Sequence, residues 1–256
     1  MTYGICILNN IPLRIDSSDA SEMISQVLFG EHFTVLDTKK QWLYIKLALD
    51  GYRGWIDHKQ VTEITETFFE TLNTTTPVFS KELVNLATQD DGKFLPLTLG
   101  SILPNYSNGK FFINDKTYLF DGATHQSVLS KESVVETAFM YLNASYLWGG
   151  KSPFGIDCSG FTQMVYKMNG FQLFRDASQQ AKQGEVLSFI EESTPGDLAF
   201  FDNNEGHITH VGIILANNYI IHSSGKVRVD RLDQSGIYNE ETNRHTHKLR
   251  LLKTIF

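Results

Sequence analysis

A chain of 256 residues, 41% of them hydrophobic and 20% charged, is long enough to bury a sizeable core and to divide into two or three small domains. A formal net charge of -7 without any Lys/Arg stripe excludes general affinity for nucleic acid and disfavours binding to an anionic membrane surface. A small peptide carrying its own amines stays admissible as a ligand.

The opening run MTYGICILNNIPLRID has no basic start, no long apolar stretch and no small-residue cleavage site, and no apolar run of membrane-spanning length follows it. A cytoplasmic protein is therefore the expectation, with secretion or the periplasm the alternative if a signal peptide has been removed. Over residues 11–61, short β-rich runs (FTVLD, WLYIKLAL, GYRGWI) are broken by turn signals. Leu43, Ile45 and Leu47 alternate as one buried strand face, and Asp50-Gly51 between two such runs predicts a hairpin. Short strands at close spacing predict a small barrel, bounded here at residues 1–62. A second β-rich stretch, residues 63–124, contains PVFS, LPLTLGSILPNY, GKFFIN and KTYLFDG, punctuated by Pro96, Pro104, Asn108-Gly109 and Gly122. The two stretches share a rhythm but no alignable repeat.

Near Gln126 the pattern changes, and residues 125–256 read as an α+β domain, helices first and an antiparallel sheet after them. Ser130 or Ser133 is placed to cap a helix, and Ser133 with Glu136 fits the capping-box spacing. Val135, Ala138, Phe139 and Leu142 then fall on one helical face. The Gly-rich turn WGGKSPFG leads into Asp157-Cys158-Ser159-Gly160. Phe161, Met164, Val165 and Met168 mark a second helix, stopped by Asn169-Gly170. A Thr-Pro-Gly-Asp turn at 194–197 precedes LAFF, and HVGIIL and YIIHSS form two strands around Asn217-Asn218.

Only two cysteines occur, Cys6 and Cys158, and neither belongs to a Cys-x-x-Cys pair. A free cysteine is most often a buried small hydrophobe. Cys158, however, opens a helix, where unpaired backbone N–H groups face the sulfur and favour thiolate over thiol, with pKa values of roughly 3–7 beside a histidine. Such a nucleophile needs an imidazole to take its proton and return it to the leaving amine. His210 begins the strand VGIIL and His222 ends YIIHSS. In a hairpin turning at Asn217-Asn218 the two become neighbours, one orienting the other; singly, each also reads as a surface histidine at a strand end. The pairs His207/His210 and His245/His247 lack enough partners at ligand spacing, so neither a metal nor any other cofactor is expected.

Together YLWGG, GIDCSGF, PGDLAFF, HVGIIL and IHSSG, in this order over residues 132–251, resemble the NlpC-type, papain-like cysteine peptidases of the bacterial cell wall. The preceding pattern LFGEHFTVLD, WLYIKL, GYRGWI resembles a bacterial SH3-like barrel, with a looser second one after it. The resemblance implies Cys158 as nucleophile, His210 as base, His222 as third polar residue and the Tyr146 hydroxyl as an oxyanion donor. Two SH3-like barrels before the catalytic domain are similar to γ-D-glutamyl-L-diamino-acid endopeptidases, which cut murein stem peptides between D-Glu and the diamino acid. That likeness implies a substrate with a free N-terminal L-Ala, its amine held by Asp157, Ser159 and Asp176 near the nucleophile and by Glu31 and Tyr52 of the first barrel. Glu31 also reads as a solvated turn carboxylate and Tyr52 as a barrel-packing aromatic. The expected partner is thus a murein stem peptide, the expected role cell-wall peptide recycling and the expected state a monomer. Two other readings use the same residues: an amidase or acyltransferase with a different acyl acceptor, and a wall-peptide binding module without catalysis.

Overall fold

The structure, a computed structural model, describes residues 2–126 and 130–256 and divides into two compact units. The first holds the described residues up to 126 together with Lys151–Pro153, and the second holds the rest.

In the first unit, seven strands form one antiparallel sheet: β1 (Tyr3–Cys6), β2 (Asn10–Arg14), β3 (Met23–Leu28), β4 (His32–Lys39), β5 (Trp42–Leu47), β6 (Arg53–Asp57) and β7 (Val61–Ile64), in the order β3-β2-β6-β5-β4-β1-β7. Leu43, Ile45 and Leu47 of β5 are buried, as their alternation predicts. The β5–β6 hairpin turns at Asp50-Gly51, with Gly51 at φ 73° in the left-handed region that glycine enters without steric cost. A helix that the β-rich pattern did not predict, α1 (Glu66–Thr74), follows; Thr65 caps it by accepting from the Phe68 N–H. After it come β8 (Val78–Ser80), β9 (Val84–Gln89), β10 (Phe94–Thr98), β11 (Lys110–Ile113), β12 (Lys116–Leu119) and β13 (Thr124–Gln126). Four of these form a sheet in the order β10-β9-β12-β11, and β8 pairs separately with β13. Phe29, Ile64 and Phe69 share one core with Leu97, Phe111 and Tyr118. The expected boundary at residue 62 therefore falls within a single packed unit, and the one at residue 124 falls on β13.

The second unit contains α2 (Lys131–Phe139); β14 (Lys151–Ser152) interrupts it in sequence but belongs to the first unit. Then follow β15 (Gly155–Ile156), α3 (Cys158–Met168), α4 (Ala177–Gln180), β16 (Glu185–Leu187), β17 (Leu198–Asp202), β18 (Ile208–Leu215), β19 (Tyr219–Ser224), β20 (Lys226–Asp233), β21 (Gly236–Asn239) and β22 (Arg244–Thr254). The antiparallel sheet runs β16-β22-β17-β18-β19-β20-β21. Its long last strand also pairs with β21, so the sheet curls closed around Ala199, Phe201, Ile214, Ile220, Leu232 and Ile237. Helices precede the sheet, as the α+β reading expects.

Two local expectations need correction. Of the two serines offered as the α2 cap, Ser130 is the one used, its Oγ accepting from the Ser133 N–H at 3.2 Å, and the Ser133/Glu136 box does not form the cap. The helix's buried residues are Val134, Thr137 and Ala138, so of the predicted stripe Ala138 is in the core, while Phe139 and, past the helix end, Leu142 are exposed. Helix α3 carries the predicted Phe161, Met164, Val165 and Met168 in the core, but it is buried all round. Its polar residues are accordingly bonded: Thr162 Oγ1 donates to Gln180 Oε1 and Gln163 Nε2 to the Leu173 carbonyl. Asn169, at its end, donates to Thr137 Oγ1 of α2.

Candidate active site

Cys158 is the first residue of α3, and Asp157 before it has extended backbone and caps the helix, accepting from the Gly160 N–H at 2.7 Å. The same carboxylate accepts from the Gly149 N–H at 2.8 Å and takes a two-pronged contact from Arg175, Nη1 at 3.0 Å and Nη2 at 2.6 Å. Arg175 Nη1 also donates to Ser159 Oγ at 2.9 Å. Both members of the pair are buried. The fork fixes the turn that presents the nucleophile, because a buried carboxylate without a cation would be costly.

The β18–β19 hairpin supplies the imidazoles. Asn217 and Asn218 take the left-handed turn at φ 59° and 61°, a conformation asparagine tolerates. The ladder runs from Leu215↔Tyr219 to Gly212↔His222. Gly212 faces His222 because a Cβ there would lie 2.8 Å from the His222 Cβ and 2.7 Å from Ile220 Cδ1. Beyond that pair the Cys158 sulfur lies against the β18 backbone on both sides of His210, 4.0 Å from the Thr209 carbonyl and receiving a hydrogen bond from the Val211 N–H.

From His210 a chain of buried groups leads inward. His210 Nε2 is 2.8 Å from His222 Nδ1, and His222 Nε2 is 2.9 Å from Asp230 Oδ2. Arg228 clasps the same carboxylate with Nε at 2.7 Å and Nη2 at 2.9 Å. Burial alone would raise the Asp230 carboxyl, but the hydrogen bonds from His222 and Arg228 outweigh it and hold it below its ordinary value. An ionised Asp230 only accepts, so His222 carries its proton on Nε2 and offers a bare Nδ1. His210 must then donate from Nε2, which leaves its Nδ1 lone pair as the base. The tautomer of His210 is thus set from two residues away.

Burial, then His222 and His247, push the His210 pKa well below its ordinary value, so the ring is neutral and able to accept a proton. Burial and then the Asp157 charge push the Cys158 thiol up to about 12. This corrects the expected resting thiolate: the helix-start N–H groups act in the predicted direction, but burial of the sulfur exceeds them. The site holds a thiol beside a neutral imidazole, an arrangement suited to general-base transfer as the sulfur attacks. Tyr146 pairs across a parallel bridge with Ile156, two residues before Cys158. Burial and then the nearby Cys158 and Asp157 charges raise its hydroxyl to about 12, which keeps it a hydrogen-bond donor.

Two family models match the chain: the NlpC/P60 family over residues 143–247 and the bacterial dipeptidyl-peptidase Sh3 domain over residues 13–61. The second unit carries an NlpC/P60 cysteine peptidase domain. Similar proteins include a gamma-D-glutamyl-L-lysine dipeptidyl-peptidase of Bacillus cereus, 29% identical over 80% of this chain and 68% of that protein. Dipeptidyl-peptidase 6 of Lysinibacillus sphaericus is 27% identical over 86% of this chain and 89% of that protein. The crystal structure of an NlpC/P60 family protein from Bacillus cereus shares the fold, with a TM-score of 0.82 at 21% identity and 99% of both chains covered.

Within this NlpC/P60 domain the structure gathers Cys158, His210, His222, Tyr146, Asp157 and Ser159. Asp157 and Ser159, which the resemblance implies at the amine site, bond Arg175 and the helix start. Asp176 is half-buried and caps α4 in a reciprocal arrangement with Gln179. Glu31 and Tyr52 belong to the first unit. The Glu31 carboxylate is 2% exposed and receives Lys151 Nζ at 2.9 and 3.1 Å and the Leu28 N–H at 2.9 Å, so it is no solvated turn carboxylate. Tyr52 packs partly against the β-core that contains Leu43 and Ile45. Sequence reasoning missed Asp230, Arg228, Arg175 and His247. Once His222 is placed by the hairpin, the run VRVD in the next strand is a signal for Asp230. His247, set aside in the sequence with His245 for want of partners at ligand spacing, lies in β22 and stacks on His210 with centroids 4.1 Å apart.

Proposed function

We propose that this chain hydrolyses the bond between γ-D-Glu and the diamino acid in murein stem peptides that carry a free N-terminal L-Ala. The observation that carries the reading is the chain of hydrogen bonds from Asp230 through His222 to His210, with the Cys158 sulfur lying against the backbone of Thr209 next to that base. The name of the similar gamma-D-glutamyl-L-lysine dipeptidyl-peptidase of Bacillus cereus supports the choice of bond.

In this mechanism the Cys158 sulfur attacks the amide carbonyl while its proton passes to His210 Nδ1. The Cys158 N–H at the start of α3 and the Tyr146 hydroxyl donate to the oxyanion. His210 then protonates the departing amine, the C–N bond breaks and a thioester forms. Water, deprotonated by His210, releases the dipeptide and restores the thiol. The resemblance gives recognition of the substrate ammonium to Asp176 at the start of α4, and we carry that role over to it. A free-amine requirement suits peptides already released from the glycan, and we therefore place the activity in cytoplasmic recycling.

The test is cleavage of L-Ala-γ-D-Glu-diaminopimelate. Cys158→Ala abolishes turnover while the circular dichroism spectrum is kept, and product formed in heavy-oxygen water carries one solvent oxygen. Full activity in the variant would sink the proposal, and an adduct in place of the solvent oxygen would mean acyl transfer. N-acetylation of the tripeptide lowers kcat/KM; equal rates would remove Asp176 from its role.

A further inference from the structure

We propose that His247 is a positioning residue for the base: its ring, lying flat on His210, keeps that imidazole from turning about its Cβ–Cγ bond. The two rings are stacked, with centroids 4.1 Å apart and planes 26° apart. The Cβ–Cγ torsion of a histidine is broad and roughly two-fold, so it does not itself choose which ring edge faces the sulfur. A half-turn exchanges Nδ1 with Cδ2 and Nε2 with Cε1. It breaks the 2.8 Å contact to His222 Nδ1 and carries the basic lone pair away from the place the thiol proton must reach. A flat ring packed on one face has to move aside before such a turn can occur.

The backbone places His247 for this contact. Phe201 of β17 pairs with His210 of β18 on one side and with Leu249 of β22 on the other, so the side chains at 247 and 249 share the face that carries His210. Asp202, the last residue of β17, pairs with Lys248, which puts His247 just past the end of the strand that separates β22 from β18. Against β21 the register skips Thr246, because Ile237 pairs with His247 and Tyr238 with His245. A bulge of this kind re-aims a side chain. The extra residue also holds the ring. Thr246 Oγ1 donates to the Ile237 carbonyl at 3.4 Å, and its lone pair accepts from His247 Nδ1 at 2.9 Å.

The other rings meet His210 differently. His222 meets it edge-on, with centroids 5.0 Å apart at 86°, and Phe201 flanks it at 5.7 Å and 47°. Of these three rings only His247 lies flat on the base. Phe201 also meets His247 at 6.0 Å and 66°, which supports the stack from the side. Burial and then His222 push the His247 pKa down to about 4, so the stacked ring is neutral at neutral pH and brings no second charge against the base. The path from Asp230 to His210 runs without His247, and its effect therefore passes through the base.

The test compares two apolar side chains of which one is flat. In full-length His247→Phe a ring still covers His210, whereas in His247→Leu none does. Ring N–H resonances of the isotope-labelled protein read the order of the base without any substrate. The wild type and His247→Phe should show the His210 Nε2–H, bonded to His222 Nδ1, in slow exchange with water. In His247→Leu that proton should exchange about tenfold faster, the effect expected for one aromatic pair. An equally slow signal in His247→Leu overturns the proposal. Catalysis gives a second reading, which rests on the proposed peptidase function. In cleavage of L-Ala-γ-D-Glu-diaminopimelate, His247→Leu should lower kcat about tenfold with KM within about twofold, and His247→Phe should lower it less than about threefold. Equal losses in both variants trace the effect to the imidazole itself and overturn the stack. Thr246→Val, at an exposed position, should lower kcat by about threefold and carries the test if His247→Leu melts below the assay temperature. An unchanged kcat and an unchanged signal in Thr246→Val then overturn the proposal. Ordered rings in a protein that cleaves no peptide leave the positioning standing and remove the proposed function.

Discussion

Asp230 shows how one buried carboxylate orders a line of three groups. Asp230→Asn keeps the shape but lets residue 230 donate to His222 Nε2, which turns both rings to the opposite tautomer and leaves His210 Nδ1 protonated. We expect kcat/KM to fall by up to about 10⁴-fold, the loss seen when the orienting carboxylate of a catalytic triad is amidated. Asp230 is a positioning residue, so the check is the acid limb of the pH–rate profile together with the melting temperature; a lower rate with an unmoved limb and a lost fold would mean structure alone. The buried thiol yields a second expectation. With Cys158 raised to about 12, its ionised fraction is small at neutral pH and grows with pH. Iodoacetamide should therefore label Cys158 of the ligand-free protein about tenfold faster per pH unit from 7 to 10. A rate plateau below pH 7 would reveal a preformed thiolate–imidazolium pair. Cys158, His210 and His222 were legible in the sequence because a helix start and a hairpin place them by local rules. Burial was not legible there, and it reverses the expected charge state of the sulfur.

Elements set the distances between these residues through backbone fit. Gly212 is the position in β18 opposite His222, and the neighbouring Ile220 leaves no room for a methyl group. Gly212→Ala should cost about 1–3 kcal/mol in urea denaturation and lower activity further by displacing His222. Unchanged activity alongside lost stability would separate the hairpin's fold from its role in placing His222. Strands β17, β18 and β19 follow LAFF, HVGIIL and YIIHSS closely, since apolar runs between turn residues specify strands well. The stripe predicted on α2 holds only in part, because Phe139 and Leu142 look like core residues. Burial instead follows Thr137, whose hydroxyl bonds the Ser133 carbonyl and Asn169 Nδ2. A satisfied threonine enters a core that hydrophobicity alone would deny it.

At the scale of the whole chain, sequence order and packing part ways. The bacterial SH3 match at 13–61 was legible from strand spacing, but residues beyond it complete the same core through Phe111 and Tyr118, whose rings stack at 4.7 Å. Lys151–Pro153 also joins that unit although it lies 25 residues beyond the last strand before it, between Gly150 and Phe154 of the other. Long-range membership of this kind leaves no periodic trace in sequence. Its energetic content sits in the pair between Lys151 and Glu31, side chains 0% and 2% exposed and 2.9 Å apart. Removing one partner of a buried pair strands the other charge, at a cost of about 3–5 kcal/mol. A fragment ending at residue 126 lacks the Lys151 ammonium that faces the Glu31 carboxylate at 2.9 and 3.1 Å. Glu31→Gln in that fragment should raise the urea midpoint, whereas in the full chain the same change strands Lys151 and lowers it. A substitution whose sign reverses between fragment and full chain measures this coupling directly; the same sign in both would show that Lys151 does not neutralise Glu31.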